Sequence, residues 1–403
     1  MHKTLILVLN CGSSSIKFAV INPVSEDNVL NGIVQRIESN DADISWTVEQ
    51  AKKSKWLPNI NYQEALHYIF NLIQSNKNLT AKILAVGHRV VHGGEHFTKS
   101  VIIDKKVLNA IRNCQDLAPL HNPANILGIE VAKKIYPKLP QIAVFDTAFH
   151  QTMPKYSYLY AIPYKLYANH QVRKYGFHGT SHRYVSQKAA EILAKPLETC
   201  AFISAHLGNG CSICAILNGK SIDTSMGLTP LEGLVMGTRS GDIDPSLHIH
   251  LVDKLGYDIH KVNTMLNKES GLLGISGISS DMRTIENAAK KGNKQAIIAI
   301  ELFCYRLAKY IGAYATVLGR IDALIFTAGI GENSSYIRAK TIKLLKILNF
   351  TLDPKINANH GKGNSGIITK INSSIAIVIP TNEELMIAKD TALLATKKQG
   401  AKI

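Results

Sequence analysis

The sequence is poor in cysteine and contains no low-complexity tract. Its six cysteines, at positions 11, 114, 200, 211, 214 and 304, are scattered through 403 residues. A disulfide framework is therefore not expected, whereas a reducing, cytoplasmic compartment is. The N-terminal apolar run, residues 5–9, stops at Asn10 and is too short for a signal peptide or a membrane span. We expect a cytoplasmic protein with no membrane partner.

Acidic residues are outnumbered by basic ones. The chain has 46 Lys and Arg against 30 Asp and Glu, which gives a formal net charge of +16. A nucleic-acid binder would concentrate this charge, but here the lysines form short pairs along the chain, for example at 52–53, 133–134 and 290–291. We expect a lysine-rich surface that favours an anionic substrate, and no nucleic-acid partner. The length predicts two domains.

A turn of small residues occurs twice in the sequence. In "LVLNCGSSSIKFAVI", residues 7–21, two apolar runs flank Gly12 and three serines, which predicts a β-hairpin. A shift of 196 residues places Gly12 on Gly208 in "HLGNGCSICAI", residues 206–216. Bare turns expose backbone N–H groups that can bind phosphate oxygens. Two such hairpins predict two related domains that both contact a polyphosphate.

The second hairpin could also be read as a metal site or a P-loop. Cys211 and Cys214 of "CSIC" would face opposite sides of a strand, and no second cysteine pair completes a zinc site. The P-loop pattern requires glycine at position 214, which is Cys214 here, and a helix after "NGKS". Strand-like residues follow instead, so the P-loop interpretation fails. Asn218–Gly219 predicts a type I′ turn into a third strand.

Apolar, strand-like runs alternate with helical stretches in the rest of the chain. Runs near 81–90, 141–145, 321–327 and 374–380 each lead into polar residues, and helices are predicted at 295–318 and 334–348. This alternation predicts an α/β fold. Because ligands of such folds gather at the carboxyl ends of strands, the polar residues indicate one cleft.

Three short motifs add candidate positions. "GIGEN", residues 329–333, precedes a helix predicted from near Ser334, which is a nucleotide-site arrangement. His178 lies just before a helix predicted from near Ser181, where an imidazole can contact an anion. Thr381 and Glu384 have capping-box spacing, so Glu384 is predicted to cap a helix. Glu383 is left as either a surface carboxylate or a magnesium ligand.

Nine motifs in sequence order, spread over the whole chain, together resemble the acetokinase family, which also contains propionate and butyrate kinases; they are "LVLNCGSSSIKF", "GHRVVHGG", "FDTAFH", "YGFHGTSH", "HLGNG", "GLTPLEGLVMGTRSGDIDP", "DMR", "GIGEN" and "PTNEEL". The resemblance implies two duplicated α/β domains of the acetate and sugar kinase/actin-like ATPase fold, with an active-site cleft between them. The domains would be 1–149, completed by a C-terminal helix at 384–403, and a nucleotide-binding domain at 150–383. A homodimer is also implied.

The resemblance assigns roles to individual residues. Asn10 and Glu383 would bind Mg²⁺ (or Mn²⁺), Arg89 would bind the acyl carboxylate, and Asp146 would be a catalytic acid/base. His178 and Arg239 would stabilise the transition state. The acyl methyl group would lie against Val91, Leu120 and Pro230. ATP or ADP would be held by Ser14, Lys17, His206, Leu207, Gly208, Asn209, Gly210, Asp281, Met282, Arg283, Gly329, Ile330, Gly331, Glu332 and Asn333.

The implied activity is the reversible, magnesium-dependent transfer of the γ-phosphoryl group of ATP to acetate. Direct in-line displacement would give acetyl phosphate and ADP. A carboxylate is already ionised at neutral pH, so Asp146 has no evident proton to move, and we expect it to orient an arginine or a metal-bound water. The resemblance also implies a smaller residue in propionate kinases at the position of Val91, which favours acetate as the substrate here. Two alternatives stay open: a propionate kinase, and a non-catalytic ATP-switched module.

Overall fold

The computed structural model describes residues 4–119, 121–361 and 363–399. The chain divides into two compact units, the first comprising Met1–Phe149 and Asn382–Ile403 and the second His150–Thr381. Leu120 lies outside the described residues. Among the residues that are described, no helix combines the length and apolar character needed to cross a membrane.

The described part of the first unit is built on an eight-stranded sheet with the order β5-β4-β3-β2-β1-β6-β8-β7. The strands are β1 (Leu5–Cys11), β2 (Ile16–Ile21), β3 (Asn28–Gln35), β4 (Asp43–Val48), β5 (Ala51–Trp56), β6 (Ile83–Val90), β7 (Val101–Ile102) and β8 (Gln141–Phe145). Strand β1 is antiparallel to β2 and parallel to β6, which is parallel to β8. The carboxyl ends of β1, β6 and β8 therefore meet at one edge.

Helices cover the first sheet. They are α1 (Tyr62–Ser75), α2 (Lys77–Ala81), α3 (Lys105–Asn113), α4 (Asn122–Ile135) and the C-terminal α16 (Glu383–Gln399). A capping box between Asn61 and Glu64 starts α1, whose apolar face joins the buried core of the sheet. Helix α16 packs closely on β6, since a Cβ atom at Gly87 would lie 2.3 Å from Oγ1 of Thr391. Glu383, the first residue of α16, therefore lies in the first unit.

In the second unit, six described strands form a sheet with the order β11-β10-β9-β12-β14-β13. They are β9 (Ala201–Leu207), β10 (Cys211–Leu217), β11 (Lys220–Thr224), β12 (Ala323–Thr327), β13 (Gly366–Ile367) and β14 (Ala376–Val378). Both predicted hairpins form: β1 pairs antiparallel with β2, and β9 with β10. The predicted I′ turn is confirmed, because Asn218 and Gly219 both have positive φ, 53° and 75°.

The helices of the second unit correct two predicted boundaries. They are α5 (Lys155–Tyr158), α6 (Lys165–His170), α7 (Gly179–Ile192), α8 (Leu247–Leu255), α9 (Ile259–Lys268), α10 (Gly271–Ser276), α11 (Met282–Lys290), α12 (Lys294–Leu318), α13 (Ala328–Asn333), α14 (Ser335–Leu344) and α15 (Pro354–Asn359). Helix α12 matches its prediction, but the predicted helix 334–348 breaks after Leu344 into a 3₁₀ turn. "GIGEN", which was predicted to precede a helix, is itself helical, because Ala328 takes φ 63° and bends the chain from β12 directly into α13.

Candidate active site

In the first unit, Arg89 on β6 is held by two neighbouring strand ends. Its Nε lies 3.1 and 3.0 Å from Oδ1 and Oδ2 of Asp146, and its Nη2 lies 2.5 Å from Oδ2. Its Nη1 donates to Oδ1 of Asn10 at 3.1 Å. The Asp146 side chain is 1% exposed, whereas that of Arg89 is 21% exposed. The guanidinium is thus fixed from behind while part of it faces solvent.

Two further carboxylates act electrostatically on this pair. Burial lowers the pKa of Arg89, but Asp146, Glu383 and Glu384 outweigh it and raise the pKa overall. Burial, together with Asp146 and Glu384, raises the pKa of Glu383 to about 7 against the lowering effect of Arg89 and Lys17. The first unit therefore brings the predicted site residues Asn10, Arg89, Asp146 and Glu383 together. With Glu384, the carboxylates that act on Arg89 outnumber this single guanidinium.

The first hairpin carries Ser14 in its turn and Lys17 at the start of β2. Lys17 lies directly opposite Asn10 in the β1–β2 register and is exposed. The turn is tied down through its carbonyl groups, because Asn125 Nδ2 donates to the Cys11 carbonyl at 2.6 Å and the Tyr62 hydroxyl donates to that of Gly12 at 2.9 Å. The exposed side of this turn presents Ser14 and the Lys17 ammonium.

Of the three residues predicted to line the acyl pocket, the structure describes Val91 and Pro230. Val91 is 6% exposed, and its backbone N–H donates to Oδ1 of Asn125 at 3.0 Å. Strand β6 ends at Val90, so the strand alternation that would place Val91 on the same face as Arg89 does not extend to it. Leu120 lies outside the described residues.

In the second unit, His178 and Arg239 converge on Gly210. A Cβ atom at Gly210 would lie 3.5 Å from Nε2 of His178 and 3.5 Å from Nη1 of Arg239. Arg239 Nη1 also donates to the Pro230 carbonyl at 2.9 Å, and burial lowers its pKa. No carboxylate of the described residues forms an ion pair with Arg239. The His178 imidazole and the Arg239 guanidinium therefore border one small space beside the turn at residues 208–210.

The backbone at His178 is unusual. His178 precedes α7 with φ 57° and ψ 23°, a left-handed conformation that non-glycine residues adopt rarely and at a cost of roughly 1–3 kcal/mol. Its ring stacks on that of His206, with centroids 4.1 Å apart. His206 in turn is bonded through Nδ1 to Oγ of Ser181 at 2.8 Å. Leu207 is fully buried and can contribute only its backbone to a ligand site.

A cavity of about 720 Å³ lies next to this turn, within the range of small-ligand sites. Eight predicted ATP residues line it: Gly208, Asn209, Asp281, Met282, Arg283, Gly329, Ile330 and Asn333. Ser280, Glu286 and Ser334 also line it and were not predicted. Ser280 and Ser334 are sequence neighbours of the motifs "DMR" and "GIGEN", which could have identified them. Glu286 lies one helical turn after Met282, so it could have been predicted only if the start of α11 had been known.

Gly331 and Glu332 of "GIGEN" are held from outside the cavity by Arg338, a fully buried arginine. Its Nη1 donates to the carbonyl groups of Gly331 and Glu332 at 2.9 and 2.7 Å, and its other nitrogens bind Asn357 and the His360 carbonyl. Burial lowers the pKa of Arg338 to about 10, so it stays charged at neutral pH. Arg338 thus clamps the carboxyl end of α13.

Asp281 and Arg283 form their own pair at the start of α11. Asp281 accepts from the Arg283 backbone N–H at 2.9 Å and pairs with its guanidinium at 2.5 Å. The hydrogen bond from Arg283 lowers the pKa of Asp281. Asp281 is therefore the N-cap of α11, and the exposed Arg283 side chain lies at the rim of the cavity.

The capping prediction for "PTNEEL" is wrong. Asn382, not Thr381, caps α16, because its Oδ1 accepts from the Leu385 N–H at 3.0 Å. Thr381 is engaged elsewhere: its hydroxyl bonds Ser181, and its N–H donates to Oε1 of Glu332. Glu384 consequently lies in the first turn of α16 without a capping role, next to Glu383.

The oxygen atoms near Arg89 suit a magnesium ion that is bound by only a few protein side chains. Asn10 and Glu383 offer an amide oxygen and a carboxylate, the ligand types that Mg²⁺ prefers, and Mg²⁺ usually takes few protein ligands beside phosphates and water. No group of three or more His, Cys, Asp or Glu side chains in the described residues could hold a metal without such help. Burial is the largest cause of the raised pKa of Glu383, and Asp146 and Glu384 add to it. A cation beside this carboxylate would favour its charged form.

Comparison with known proteins gives consistent matches over nearly the whole chain. The model of the acetokinase family matches residues 5–389. The acetate kinase of Shewanella sp. (strain ANA-3) is 54% identical over 98% of this chain and 100% of its own length, and that of Shewanella baltica (strain OS155) is 55% identical over the same shares.

Solved structures also match over nearly the whole chain. A propionate kinase from Francisella tularensis subsp. tularensis SCHU S4 superposes with a TM-score of 0.93 and 50% identity, covering 97% of this chain and 100% of that one. The acetate kinase of Porphyromonas gingivalis gives 0.91 and 43%, covering 97% and 99%. The predicted α/β fold is thereby confirmed.

Proposed function

The chain belongs to the acetokinase family, and on this premise we propose that it is a magnesium-dependent kinase for acetate. It is an enzyme that phosphorylates a carboxyl group. In the proposed reaction, a carboxylate oxygen of acetate attacks the γ-phosphorus of ATP and the bond from that phosphorus to the β-phosphate oxygen breaks. Acetyl phosphate and ADP result, without a covalent enzyme intermediate, and the reaction runs in both directions.

The observation that carries this proposal is the position of His178 and Arg239 around Gly210. Gly208 and Asn209 line the cavity proposed for the nucleotide. A Cβ atom at the next residue, Gly210, would lie 3.5 Å from both His178 and Arg239. A phosphoryl group at the end of a nucleotide would meet these donors. Transfer between two anions depends on stabilising charge on the equatorial oxygens, and a preorganised Arg and His supply it.

Arg89 is proposed to bind the acetate carboxylate, with Asp146 as the residue that orients it. A guanidinium presents two parallel donors to a carboxylate, and Asp146 holds Arg89 in one orientation through both of its oxygens. Since acetate is already ionised, no general base is required. We therefore propose for Asp146 a positioning role in place of proton transfer.

Magnesium is proposed to bind Asn10 and Glu383, and Lys17 and Ser14 are proposed to contact the phosphates. When bound, the ion would screen the negative charge of the nucleotide. Asn10 accepts a hydrogen bond from Arg89 in the structure, and its amide oxygen has a second lone pair for the metal.

Propionate is the second candidate substrate, favoured by the Francisella neighbour described as a propionate kinase. A pocket of Val91, Leu120 and Pro230 is proposed to discriminate between the acids. One methylene is worth only about 1–3 kcal/mol in such a pocket. The two Shewanella relatives described as acetate kinases, at 54% and 55% identity, are more similar in sequence than this neighbour at 50%, and we propose acetate as the preferred acid.

A hydroxamate assay with ATP tests these proposals. Acetate, propionate and butyrate are compared, each with magnesium, with manganese and with excess chelator. Activity that is highest with acetate and lost in the chelator supports the proposal. Absence of product with every acid would favour the non-catalytic ATP-switched module. Light scattering of the same sample tests the proposed homodimer. A cytoplasmic location is proposed from six unpaired thiols.

A further inference from the structure

Ser212, on β10, links two histidine rings in the second unit. Its Oγ lies 2.9 Å from Nδ1 of His178 and 2.8 Å from Nε2 of His182. Nδ1 of His182 is bonded to Oγ of Ser204 at 3.0 Å. Ser204, Ser212 and His182 are all fully buried. The side chains of Ser204, His182, Ser212 and His178 thus form one hydrogen-bonded row.

The fold explains why the row forms. His178 is the N-cap of α7 and His182 lies four residues further on, in the first turn of the helix. Both rings lie within hydrogen-bonding distance of the Ser212 hydroxyl. Ser212 lies directly opposite His206 in the β9–β10 register, and the ring of His206 stacks on that of His178. His178 is therefore fixed on one face by His206 and at Nδ1 by Ser212.

The protonation of His182 limits how the row can be arranged. Burial, followed by repulsion from His150 and His206, lowers the pKa of His182 well below 6.5. The ring is neutral, so one of its nitrogens donates and the other accepts. Ser212 has one hydroxyl proton for two rings. It therefore donates to one ring and accepts from the other.

The two possible directions have different consequences at Nε2 of His178. If Ser212 donates to His182, Nδ1 of His178 must carry the proton, and the neutral ring turns a lone pair towards the space beside Arg239. If Ser212 donates to Nδ1 of His178, the neutral ring carries its proton at Nε2. A proton at Nε2 can be donated to an anionic oxygen, and a lone pair there would repel it.

We propose that Ser212 is a positioning residue that fixes His178 as its Nε2–H tautomer, with the row donating in one direction from Ser204 through His182 and Ser212. This inference rests on the proposed function and deepens it, because it makes neutral His178 a hydrogen-bond donor to the phosphoryl group.

The test combines kinetics with histidine NMR on the full-length protein. Ser212→Ala removes the link, Ser212→Thr keeps the hydroxyl, and Ser186→Ala is the matched control. Ser186 is also a buried serine, on α7, whose hydroxyl donates to the Arg183 carbonyl rather than to a ring. We expect Ser212→Ala to lower kcat about 10- to 100-fold, with the KM values for ATP and acetate within about 3-fold. Ser212→Thr should recover most of kcat, and Ser186→Ala should match the unmodified protein.

Long-range proton–nitrogen correlation spectra of histidine-labelled protein at pH 8 report the tautomer directly. His178 is assigned by comparison with His178→Asn. We expect the proton at Nε2 in the unmodified protein and a shift towards Nδ1 in Ser212→Ala. A proton at Nδ1 in the unmodified protein, or an unchanged kcat in Ser212→Ala, would overturn the proposal. If the unmodified protein lacked acyl kinase activity, the proposed function would fail, and the spectra would still decide the role of Ser212.

Discussion

Asp146 binds Arg89 through both carboxylate oxygens, and the two residues stand at the ends of adjacent parallel strands. Arg89 is on β6, and Asp146 follows β8 by one residue. The Asp146 backbone N–H also donates to the Val90 carbonyl at 3.0 Å. The sheet itself therefore sets the distance and angle of the ion pair.

Asp146→Asn should weaken acetate binding more than ATP binding. Asparagine keeps the shape of the side chain but loses the charge and one of the acceptor oxygens, so Arg89 can rotate. We expect the acetate KM to rise at least about 10-fold, as for a displaced positioning contact, with the ATP KM nearly unchanged. Unfolding should be easier by about 1–3 kcal/mol because a buried partner is lost.

The exposed pair of Arg36 and Asp43 is a matched control. It also joins an arginine to an aspartate on the first sheet, but the Arg36 side chain is 56% exposed. Exposed pairs contribute about 1 kcal/mol or less, so Asp43→Asn should change neither KM value. Equal acetate kinetics in Asp146→Asn and Asp43→Asn would contradict the positioning role.

Arg239→Ala should lower kcat about 10²-fold or more, since it removes a preorganised charge at the proposed phosphoryl position. Arg239→Lys should recover little, because an ammonium group cannot reproduce the two-point geometry. Arg320→Ala is the control, since Arg320 is half exposed and pairs with Asp322. Steady-state kinetics suffice, and near-normal turnover in Arg239→Ala would rule out the assignment.

Glu383→Gln should raise the magnesium concentration needed for half-maximal activity more than it raises the acetate KM. The change replaces the charged carboxylate of a proposed metal ligand with a neutral amide, which binds Mg²⁺ more weakly, and leaves Arg89 and Asp146 in place. Glu384→Gln alters the neighbouring carboxylate of α16 and should have the smaller effect. Magnesium titrations that coincide for Glu383→Gln and the unmodified protein would mean that Glu383 binds no metal.

The sequence predicted the parts of the site that depend on the backbone of short motifs. The repeated small-residue turn implied two hairpins, and the Asn218–Gly219 pair implied the following turn, because positive φ values restrict which residues can occupy them. Strand runs ending in Arg89 and Asp146 implied that these side chains meet, since parallel strands end at one sheet edge.

Contacts between distant side chains that do not both lie at strand ends could not be predicted. Thr381 seemed a helix cap by spacing, yet it bonds Ser181, 200 residues away. The bonds from Ser212 to two histidine rings depend on the packing of α7 against β9 and β10, which no local pattern specifies. The left-handed turn at Ala328 was missed because alanine gives no signal for positive φ.

His88 should make stability fall as the pH is lowered. It is buried against Gln141, with Nε2 2.8 Å from Oε1, and burial lowers its pKa to about 4. Between pH 4 and 6.5 the unfolded chain binds a proton that the folded chain does not. The free energy of unfolding therefore rises with pH in this window, and one such histidine contributes up to about 1.4 kcal/mol per pH unit.

Urea unfolding of His88→Asn at pH 7.0 and pH 5.5 isolates this contribution. The variant should be less stable at pH 7.0, but it should lose about 1 kcal/mol less than the unmodified protein on acidification. His67→Asn, which replaces an exposed histidine on α1, is the control and should leave the pH dependence unchanged. An unaltered pH dependence in His88→Asn would show that this ring takes up its proton equally in both states.

Val91→Ala should shift acid preference towards propionate. Val91 is buried two residues after Arg89, and its backbone is anchored by Asn125, so truncation should open space without moving the chain. We expect the acetate-to-propionate ratio of kcat/KM to fall about 10-fold or more, consistent with one methylene, at an unchanged ATP KM. Val90→Ala truncates the adjacent buried valine, which packs in the core with Phe97 and Ile103. Both variants should lose about 1–3 kcal/mol of stability, but only Val91→Ala should alter the ratio. Equal ratios in the two variants would place the acyl pocket elsewhere.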